Sequence, residues 1–195
     1  MKINKIVVGE LDTNCYIVSA GSGAAFIIDP GDEPLRIKKF LDDHKLKAAF
    51  IVNTHGHIDH IKANSDLGLP VYVHEDDRDM IAIPEKNLMS VFFGTFKPVV
   101  PTRLLKDGDI IALDELEFKV IHTPGHTQGC LCLLGEGILF SGDTLFRNGV
   151  GRTDFPGASS QSLEESLHRL SGLKSDIVVY PGHGQETTIG RELHG

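Results

Sequence analysis

Short apolar or alternating runs, separated by turn residues, recur along most of this 195-residue chain. Runs of this length that are rich in β-branched residues predict strands. The predicted strands of the first half are 5–8, 15–19, 24–28, 48–52 and 71–73. Those of the second half are 110–113, 117–121, 130–134, 137–141 and 177–180. The pattern therefore predicts two groups of strands.

Helical spacing of apolar residues predicts an amphipathic helix in each half of the chain, at 33–44 and at 160–170. Shorter helical segments are expected at 61–67 and 75–81. Strands with a helix, repeated in the second half, predict an α/β domain built in layers. No low-complexity linker divides the chain, so we expect residues 1–195 to form a single domain.

The charge balance narrows the choice of partner. There are 19 Lys and Arg residues against 27 Asp and Glu residues, which gives a formal net charge of −8. No block of consecutive basic residues forms a phosphate-binding stripe, so we expect no nucleic-acid partner. The amino-terminal apolar run is too short for a signal sequence, and no stretch of about 18 apolar residues occurs. We therefore expect a cytoplasmic protein that has no membrane partner.

The densest chemistry follows the predicted strand at 48–52. The stretch His55-Gly56-His57-Ile58-Asp59-His60 places three histidines and one carboxylate within six residues. Neutral imidazole and carboxylate are the usual protein ligands of zinc and similar divalent ions. The stretch therefore predicts a metal site.

His126, Asp143 and His183 each follow the end of a predicted strand in the second half. Ligands gathered at strand ends from distant parts of a chain are how a rigid sheet holds a preorganised site. Together with the first cluster they make five histidines and two carboxylates. That is too many donors for one tetrahedral catalytic ion, which takes three protein ligands, but it suits two ions that share one carboxylate. The sequence thus predicts a two-metal hydrolase.

The ordered set His55-x-His57-x-Asp59-His60, His126, Asp143 and His183 resembles the motifs of the metallo-β-lactamase superfamily over nearly the whole chain. Asp29, within Ile-Ile-Asp-Pro-Gly, strengthens the resemblance. The fold that this resemblance implies is a four-layer αββα sandwich, in which two facing sheets are flanked by helices and the metals lie at one edge.

The resemblance also implies a role for each residue of the set. The implied ligands are His55, His57 and His126 for the first metal and Asp59, His60 and His183 for the second, with Asp143 bridging. Two divalent ions are expected, with zinc favoured and iron or manganese as alternatives. Asp59 is the expected catalytic residue, because it would orient a metal-bridging hydroxide that attacks an acyl carbonyl. Asp29 is expected to support a ligand histidine rather than to bind metal.

Within the superfamily, the strings at 142–157 and 184–190 resemble the glyoxalase II-like branch. This implies hydrolysis of a thioester such as a hydroxyacylglutathione, in a short form without the carboxy-terminal helical domain of glyoxalase II. The string Gly-Arg-Thr-Asp-Phe at 151–155 also resembles the persulfide dioxygenase branch, which implies one iron held by two histidines and one aspartate. A hydrolase of another small ester or a lactone is a further alternative.

The expected partner is a small acylthiol or ester, bound by a monomer or homodimer. Arg147 and Arg152 are candidate contacts for an anionic substrate, although a structural salt bridge is the favoured role of Arg152. Residues 82–100 fit neither helical nor strand spacing and contain the candidate contacts Phe92 and Phe93. This segment is either a substrate-facing flap or a piece of chain packed over the edge of the core.

Overall fold

Two six-stranded sheets organise the residues that the computed structural model describes, 1–87 and 94–194. The first sheet follows chain order: β1 (Lys2–Val8), β2 (Thr13–Ser19), β3 (Ala24–Ile28), β4 (Lys47–Val52), β5 (Val71–His74) and β6 (Arg103–Leu105). Strands β1 to β3 are antiparallel, whereas β3 to β6 are parallel. Because parallel strands end at the same edge of a sheet, the loops after β4 and β5 lie side by side.

The remaining strands are β7 (Ile110–Leu113), β8 (Leu116–His122), β9 (Leu131–Gly135), β10 (Ile138–Gly142), β11 (Leu145–Phe146), β12 (Gly149–Val150), β13 (Val178–Pro181) and β14 (Thr187–Thr188). The second sheet has the order β14-β13-β10-β9-β8-β7, and β11 pairs with β12 in a separate ribbon. Within the second sheet, β10 and β13 are parallel and the other neighbours are antiparallel.

The described helices are α1 (Pro34–Asp43), α2 (Ile58–Ile61), α3 (Asn64–Leu67), α4 (Arg78–Ala82), α5 (Ser160–Ser171) and α6 (Ile189–Leu193). Short 3₁₀ turns span Glu75–Asp77 and Pro84–Lys86. Among these described residues, no helix is both long enough and apolar enough to cross a bilayer.

Aromatic side chains fill the space between the sheets. Phe26 of the first sheet stacks on Phe50 and meets Phe118 of the second sheet edge-on, with ring centroids 5.3 and 5.6 Å apart. On the outer faces, Ile37 of α1 packs against the first sheet and Leu170 of α5 against the second. The order of layers is helix, sheet, sheet, helix, so the expected αββα sandwich is confirmed.

The local predictions are less accurate where elements are short. The segment predicted as one helix over 61–67 is two helices, and α2 already begins at Ile58 inside the histidine cluster. The segment at 75–81 is helical as predicted, with a 3₁₀ turn followed by α4. The sequence does not predict β6, β11, β12 or β14, because strands of two or three residues offer too few positions for an alternating pattern.

The described part of the segment at 82–100 packs against the first sheet. Phe96 is buried in the outer core of that sheet, and the Val99 N–H donates to the Ile81 carbonyl oxygen at 3.1 Å. Asn87 is fully buried. These contacts favour the interpretation as a packed edge. The candidate substrate contacts Phe92 and Phe93 lie outside the described residues.

Candidate metal centre

The structure brings all seven predicted ligands together at one end of the sandwich. The first sheet supplies four of them from the loop after β4 and from α2, and the second sheet supplies three from the loops after β8, β10 and β13. Rigid strands thus fix the start of every ligand-bearing loop.

Three histidines form a first cluster, called here the first triad: His55, His57 and His126. Their candidate ligand atoms lie within 4.8 Å of one another. His55 Nε2 is 3.0 Å from His57 Nδ1. Two nitrogens bound to one tetrahedral zinc would be about 3.3 Å apart, given Zn–N bonds of about 2.0 Å. The first triad therefore has the spacing of ligands that share one ion.

A second triad consists of Asp59, His60 and His183. His60 Nε2 is 3.2 Å from His183 Nε2 and 3.4 Å from Asp59 Oδ2, and His183 Nε2 is 3.3 Å from the same carboxylate oxygen. All three distances suit ligand atoms around one small cation. The geometry is therefore compatible with the two groups that the family resemblance implies, although His55, His60 and Asp143 also lie within 4.8 Å of one another.

Asp143 lies between the two triads. Its Oδ2 is 3.5 Å from His126 Nε2 of the first triad and 3.6 Å from His183 Nε2 of the second. Its Oδ1 is 3.4 Å from His60 Nε2. A carboxylate in this place has one oxygen within reach of both triads, which is the arrangement needed to bridge two ions.

Hydrogen bonds fix which nitrogen of each ring faces the centre. His126 Nδ1 is 2.8 Å from the carbonyl oxygen of Arg152, and His183 Nδ1 is 2.9 Å from that of Leu11. Because a carbonyl oxygen only accepts, both Nδ1 atoms donate, and in the neutral rings Nε2 carries the lone pair. The two rings therefore present Nε2 to the centre.

Asp29 fixes the ring orientation of His55 and His60, which follow β4. Its Oδ2 is 3.0 Å from His60 Nδ1 and accepts from the Thr54 hydroxyl at 2.6 Å, while Oδ1 accepts from the Thr54 N–H at 2.8 Å. Since the hydroxyl proton is donated to Asp29, the Thr54 oxygen accepts from His55 Nδ1, 3.2 Å away. Asp29 thus lies behind His55 and His60, bonded to one directly and to the other through Thr54.

Two buried atoms test whether a cation fits. In the described part of the chain, His126 Nε2 and Asp143 Oδ1 have no hydrogen-bond partner. Buried polar atoms nearly always have one. Here a nitrogen lone pair faces a carboxylate, and a divalent cation would satisfy both. The donor set of imidazoles and carboxylates fits zinc, iron or manganese.

His55 and His57, on the loop after β4, are held in the neutral form. Burial is the main cause that keeps the pKa of His55 well below its usual range, and the neighbouring imidazoles add to it. Burial, followed by His126, lowers the pKa of His57 to about 3. Only the neutral ring has a lone pair to share with a metal, so these shifts leave both histidines in the form that binds.

The environment of the second triad is more acidic. Burial opposes protonation of His60, but the carboxylates of Asp59, Asp143 and Asp29 outweigh it and raise the pKa of His60 to about 10. Burial likewise opposes ionisation of Asp59, yet His60 and His183 hold the pKa of Asp59 below its usual range. The carboxylates around the second triad therefore favour positive charge there, either as a proton on His60 or as a bound cation.

The close approach of the backbone to Asp143 requires glycine at position 182. A Cβ atom there would lie 2.2 Å from Asp143 Oδ1 and 2.8 Å from His60 Cε1. Contacts that short do not occur between real atoms, so any larger residue would displace the carboxylate. Gly182 thus sets where Asp143 lies.

The candidate substrate contacts lie around the rim. Arg152 forms an ion pair with Asp154 through two bonds of 2.6 Å and stacks over Phe155, as the favoured structural role predicts. Phe155 in turn contacts His57 edge-on, with centroids 5.9 Å apart. Arg147 is exposed and donates to the side chain of Gln185. These contacts of the two arginine side chains are all with residues other than the candidate ligands, so their substrate roles stay predictions.

A second histidine cluster, His74 with His122 and Asp76, lies at the ends of β5 and β8. The two rings stack 3.8 Å apart with planes 12° from parallel. A metal binds in the plane of an imidazole ring, and two parallel planes share no such position. His122 Nε2 also bonds to the Gln128 carbonyl oxygen at 2.8 Å. We therefore interpret this cluster as a stacked pair, not a metal site.

Sequence reasoning misses Asp77, which is buried between the loops of the first triad. It accepts hydrogen bonds from Gly56, Thr127 and Gly129. Nothing local distinguishes it from its neighbour Asp76 in the sequence. Its place inside the helical segment predicted at 75–81 gives no signal of a role in the site.

The chain is similar to known proteins along nearly its whole length. A sequence profile described as the metallo-β-lactamase superfamily matches residues 8–183. An uncharacterized protein of Aquifex aeolicus is 40% identical over 200 residues, with 98% of this chain and 94% of that protein covered. The hydroxyacylglutathione hydrolase GloC of Haemophilus influenzae is 32% identical over 201 residues, covering 98% and 95%.

Solved structures are similar over nearly the full length. The BLEG-1 B3 metallo-β-lactamase has a TM-score of 0.90 at 32% identity and covers 100% of this chain and 97% of that one. TTHA1623, solved in a di-iron-bound form, has a TM-score of 0.87 at 36% identity, with 96% of each chain covered. ETHE1 from Myxococcus xanthus has a TM-score of 0.82 at 27% identity, covering 97% and 80%.

Proposed function

Because this chain belongs to the metallo-β-lactamase superfamily, we propose that it is a metal-dependent hydrolase with a dinuclear site, which cleaves a thioester such as a hydroxyacylglutathione. The observation that carries the proposal is the pairing of two triads around Asp143, whose Oδ2 is 3.5 and 3.6 Å from one histidine of each. Zinc is the favoured metal, and iron is supported by the di-iron form of TTHA1623.

The first triad would hold one ion, the second triad the other, and Asp143 would bridge them. When bound, the two ions supply a water of lowered pKa and a Lewis acid for the substrate carbonyl. Asp59 Oδ2 accepts a hydrogen bond from the Thr13 hydroxyl at 3.3 Å, which fixes the carboxylate that would orient the attacking water. Water then replaces the thiol at the acyl carbon, giving a carboxylic acid and a free thiol.

The choice of a thioester rests on two arguments. One curated relative, the Haemophilus influenzae protein, is named as a hydroxyacylglutathione hydrolase. A thiolate is also a good leaving group that needs little protonation, so its release does not require a separate general acid.

Metal removal is the direct test. Purified protein is analysed for its elements, stripped with a chelator, and then restored separately with zinc, iron or manganese. Release of free thiol from lactoylglutathione and a panel of other acylthiols is followed at each stage. We expect about two ions per chain, loss of thioester cleavage on stripping, and recovery with at least one metal. Cleavage that survives complete metal removal contradicts the proposal.

The second candidate is an iron-dependent persulfide dioxygenase, which the string Gly-Arg-Thr-Asp-Phe at 151–155 favours. That chemistry needs one iron, whereas the structure offers a second triad as well. Oxygen uptake with glutathione persulfide, together with one iron per chain and no thioester cleavage, would favour this candidate. Cleavage of simple esters or lactones in preference to every acylthiol would instead change the proposed substrate class.

A further inference from the structure

We propose that Asp77 is a positioning residue that controls metal affinity at the first triad and not at the second. The inference rests on the proposed two-metal function, because it concerns how one of the two positions is built. Asp77 acts through the loops that carry the ligands, and the contacts of its two carboxylate oxygens define which loops these are.

Asp77 ends the 3₁₀ turn after β5 and is fully buried. Its Oδ2 accepts from the Gly56 N–H at 2.8 Å and from the Thr127 hydroxyl at 2.7 Å, and its Oδ1 accepts from the Gly129 N–H at 2.7 Å. Gly56 lies between the two histidines of the first loop, and Thr127 directly follows the third histidine. One carboxylate thus ties together the two loops that carry the whole first triad.

The packing around this carboxylate leaves the loops little freedom. A Cβ atom at Gly129 would lie 2.6 Å from both the Cγ atom and the backbone nitrogen of Asp77, so the Gly129 backbone packs directly against Asp77. On the opposite side, the buried Asn87 donates from Nδ2 to the Gly56 carbonyl oxygen at 2.6 Å. Gly56, the residue between the first two histidines, is therefore held at both its N–H and its C=O group.

A carboxylate is the side chain that this position requires. All three donors are electrically neutral, and an aspartate offers acceptors on both of its oxygens. An asparagine of the same shape would turn an NH₂ group towards one of these N–H or O–H donors. A buried charged carboxylate with only neutral donors is less favourable for folding than a neutral structural contact would be. We therefore attribute its presence here to the rigid placement of the ligand loops.

The second triad is supported by other groups. Asp59 accepts from the Thr13 hydroxyl, the Nδ1 atom of His60 bonds to Asp29, and that of His183 bonds to the Leu11 carbonyl oxygen. Loosening the loops around Asp77 should therefore leave this triad in place. A loss of metal affinity at the first triad alone would distinguish a positioning role from a general loss of structure.

The experiment measures each metal position alone. Asp77→Asn is placed in a His183→Ala background, which keeps the first triad, and in a His126→Ala background, which keeps the second. Zn²⁺ affinity is measured by competition with a chromophoric chelator, so no enzymatic activity is needed. We expect affinity to fall about 10- to 100-fold in the first background and to stay within about twofold in the second.

Asp107→Asn is the matched control, because this exposed carboxylate also accepts a backbone N–H, from His122 at 2.9 Å, but touches neither ligand loop. It should change neither affinity. Equal weakening in both backgrounds, or no change in either, overturns the inference about Asp77. If circular dichroism shows that Asp77→Asn does not fold, Thr127→Val removes one donor at constant shape and should weaken the first position alone; unchanged affinity there overturns the inference.

The wild-type titration separates this inference from the proposed function. Two bound ions together with an indifferent Asp77→Asn variant leave the two-metal function standing and overturn only the role of Asp77. Fewer than two ions on the wild-type chain overturn the two-metal function itself, and with it the inference, before any variant is compared.

Discussion

At the scale of single residues, the candidate centre depends on atoms that never touch a metal. Four of the candidate ligand histidines bond through Nδ1 to oxygen atoms behind them, which leaves Nε2 facing the centre: His55, His60, His126 and His183. Gly182 adds a steric condition, since its missing side chain leaves the space that the Asp143 carboxylate fills. Placement of the ligands is therefore specified by their neighbours as much as by the ligands.

Substitution of Gly182 tests this steric condition. In Gly182→Ala the new methyl group would lie 2.2 Å from Asp143 Oδ1 and must displace it. We expect thioester cleavage to fall about 10²-fold, since a misplacement of about 1 Å can cost that much, together with weaker metal binding. Gly149→Ala is the matched control, because a Cβ there meets nothing within 4 Å. Full activity in Gly182→Ala would show that Asp143 does not need its present position.

The same scale shows what sequence can and cannot specify. His55, His57, Asp59 and His60 are recognisable because they are close in the sequence and follow a strand. Asp77 is not, because its donors are 21, 50 and 52 residues away and only the folded chain brings them together. Short-range spacing predicts ligands, whereas their supports depend on tertiary contacts.

At the scale of elements, long strands and helices follow the pattern of apolar residues closely, since β3 and β7 have the predicted bounds and α1 and α5 lie within a residue or two of theirs. The strands that the apolar pattern does not predict are β6, with three residues, and β11, β12 and β14, with two residues each. Their pairing partners, not their own sequences, make them strands. The stacked pair of His74 and His122 links the ends of β5 and β8, one from each sheet.

This link should make stability depend on pH. Burial, followed by His122, lowers the pKa of His74, while Asp76, Glu75 and Asp107 act in the opposite direction. A histidine of the unfolded chain has a pKa of about 6.5. Because the native protein binds this proton less readily, protonation favours unfolding, and the free energy of unfolding falls as the pH drops below about 6.5.

Urea unfolding of the chelator-treated protein between pH 7.5 and 5 measures this dependence. His74→Gln should show a shallower fall of the unfolding free energy than the wild type, because it has no proton to bind. His168→Gln, at an exposed position on α5, should follow the wild-type curve. Parallel curves for His74→Gln and the wild type would remove His74 from the explanation.

At the scale of the whole molecule, the candidate centre joins the two sheets. Four of its residues come from the first sheet and three from the second. The first triad combines histidines from both sheets, and Asp143 of the second sheet lies beside His60 of the first. A ligand that binds only the folded arrangement stabilises it. Bound metal should therefore act as a cross-link between the halves of the sandwich.

Thermal unfolding tests the cross-link. With Zn²⁺ at 100 times its dissociation constant we expect about 2.7 kcal/mol of added stability per site, or a rise in Tm of roughly 5 to 10 °C for a chain of this size. Asp143→Ala should lose most of the rise, whereas the exposed His168→Ala should keep it. An equal Tm with and without metal would mean that the sheets are held together by their aromatic core alone.

The bonds from His126 and His183 to the backbone carbonyls of Arg152 and Leu11 have a consequence for evolution. Every amino acid carries the same carbonyl oxygen, so substitutions at positions 11 and 152 leave ring orientation untouched. The side chains at both positions are exposed, so the sequence can change there without reorienting the two histidines.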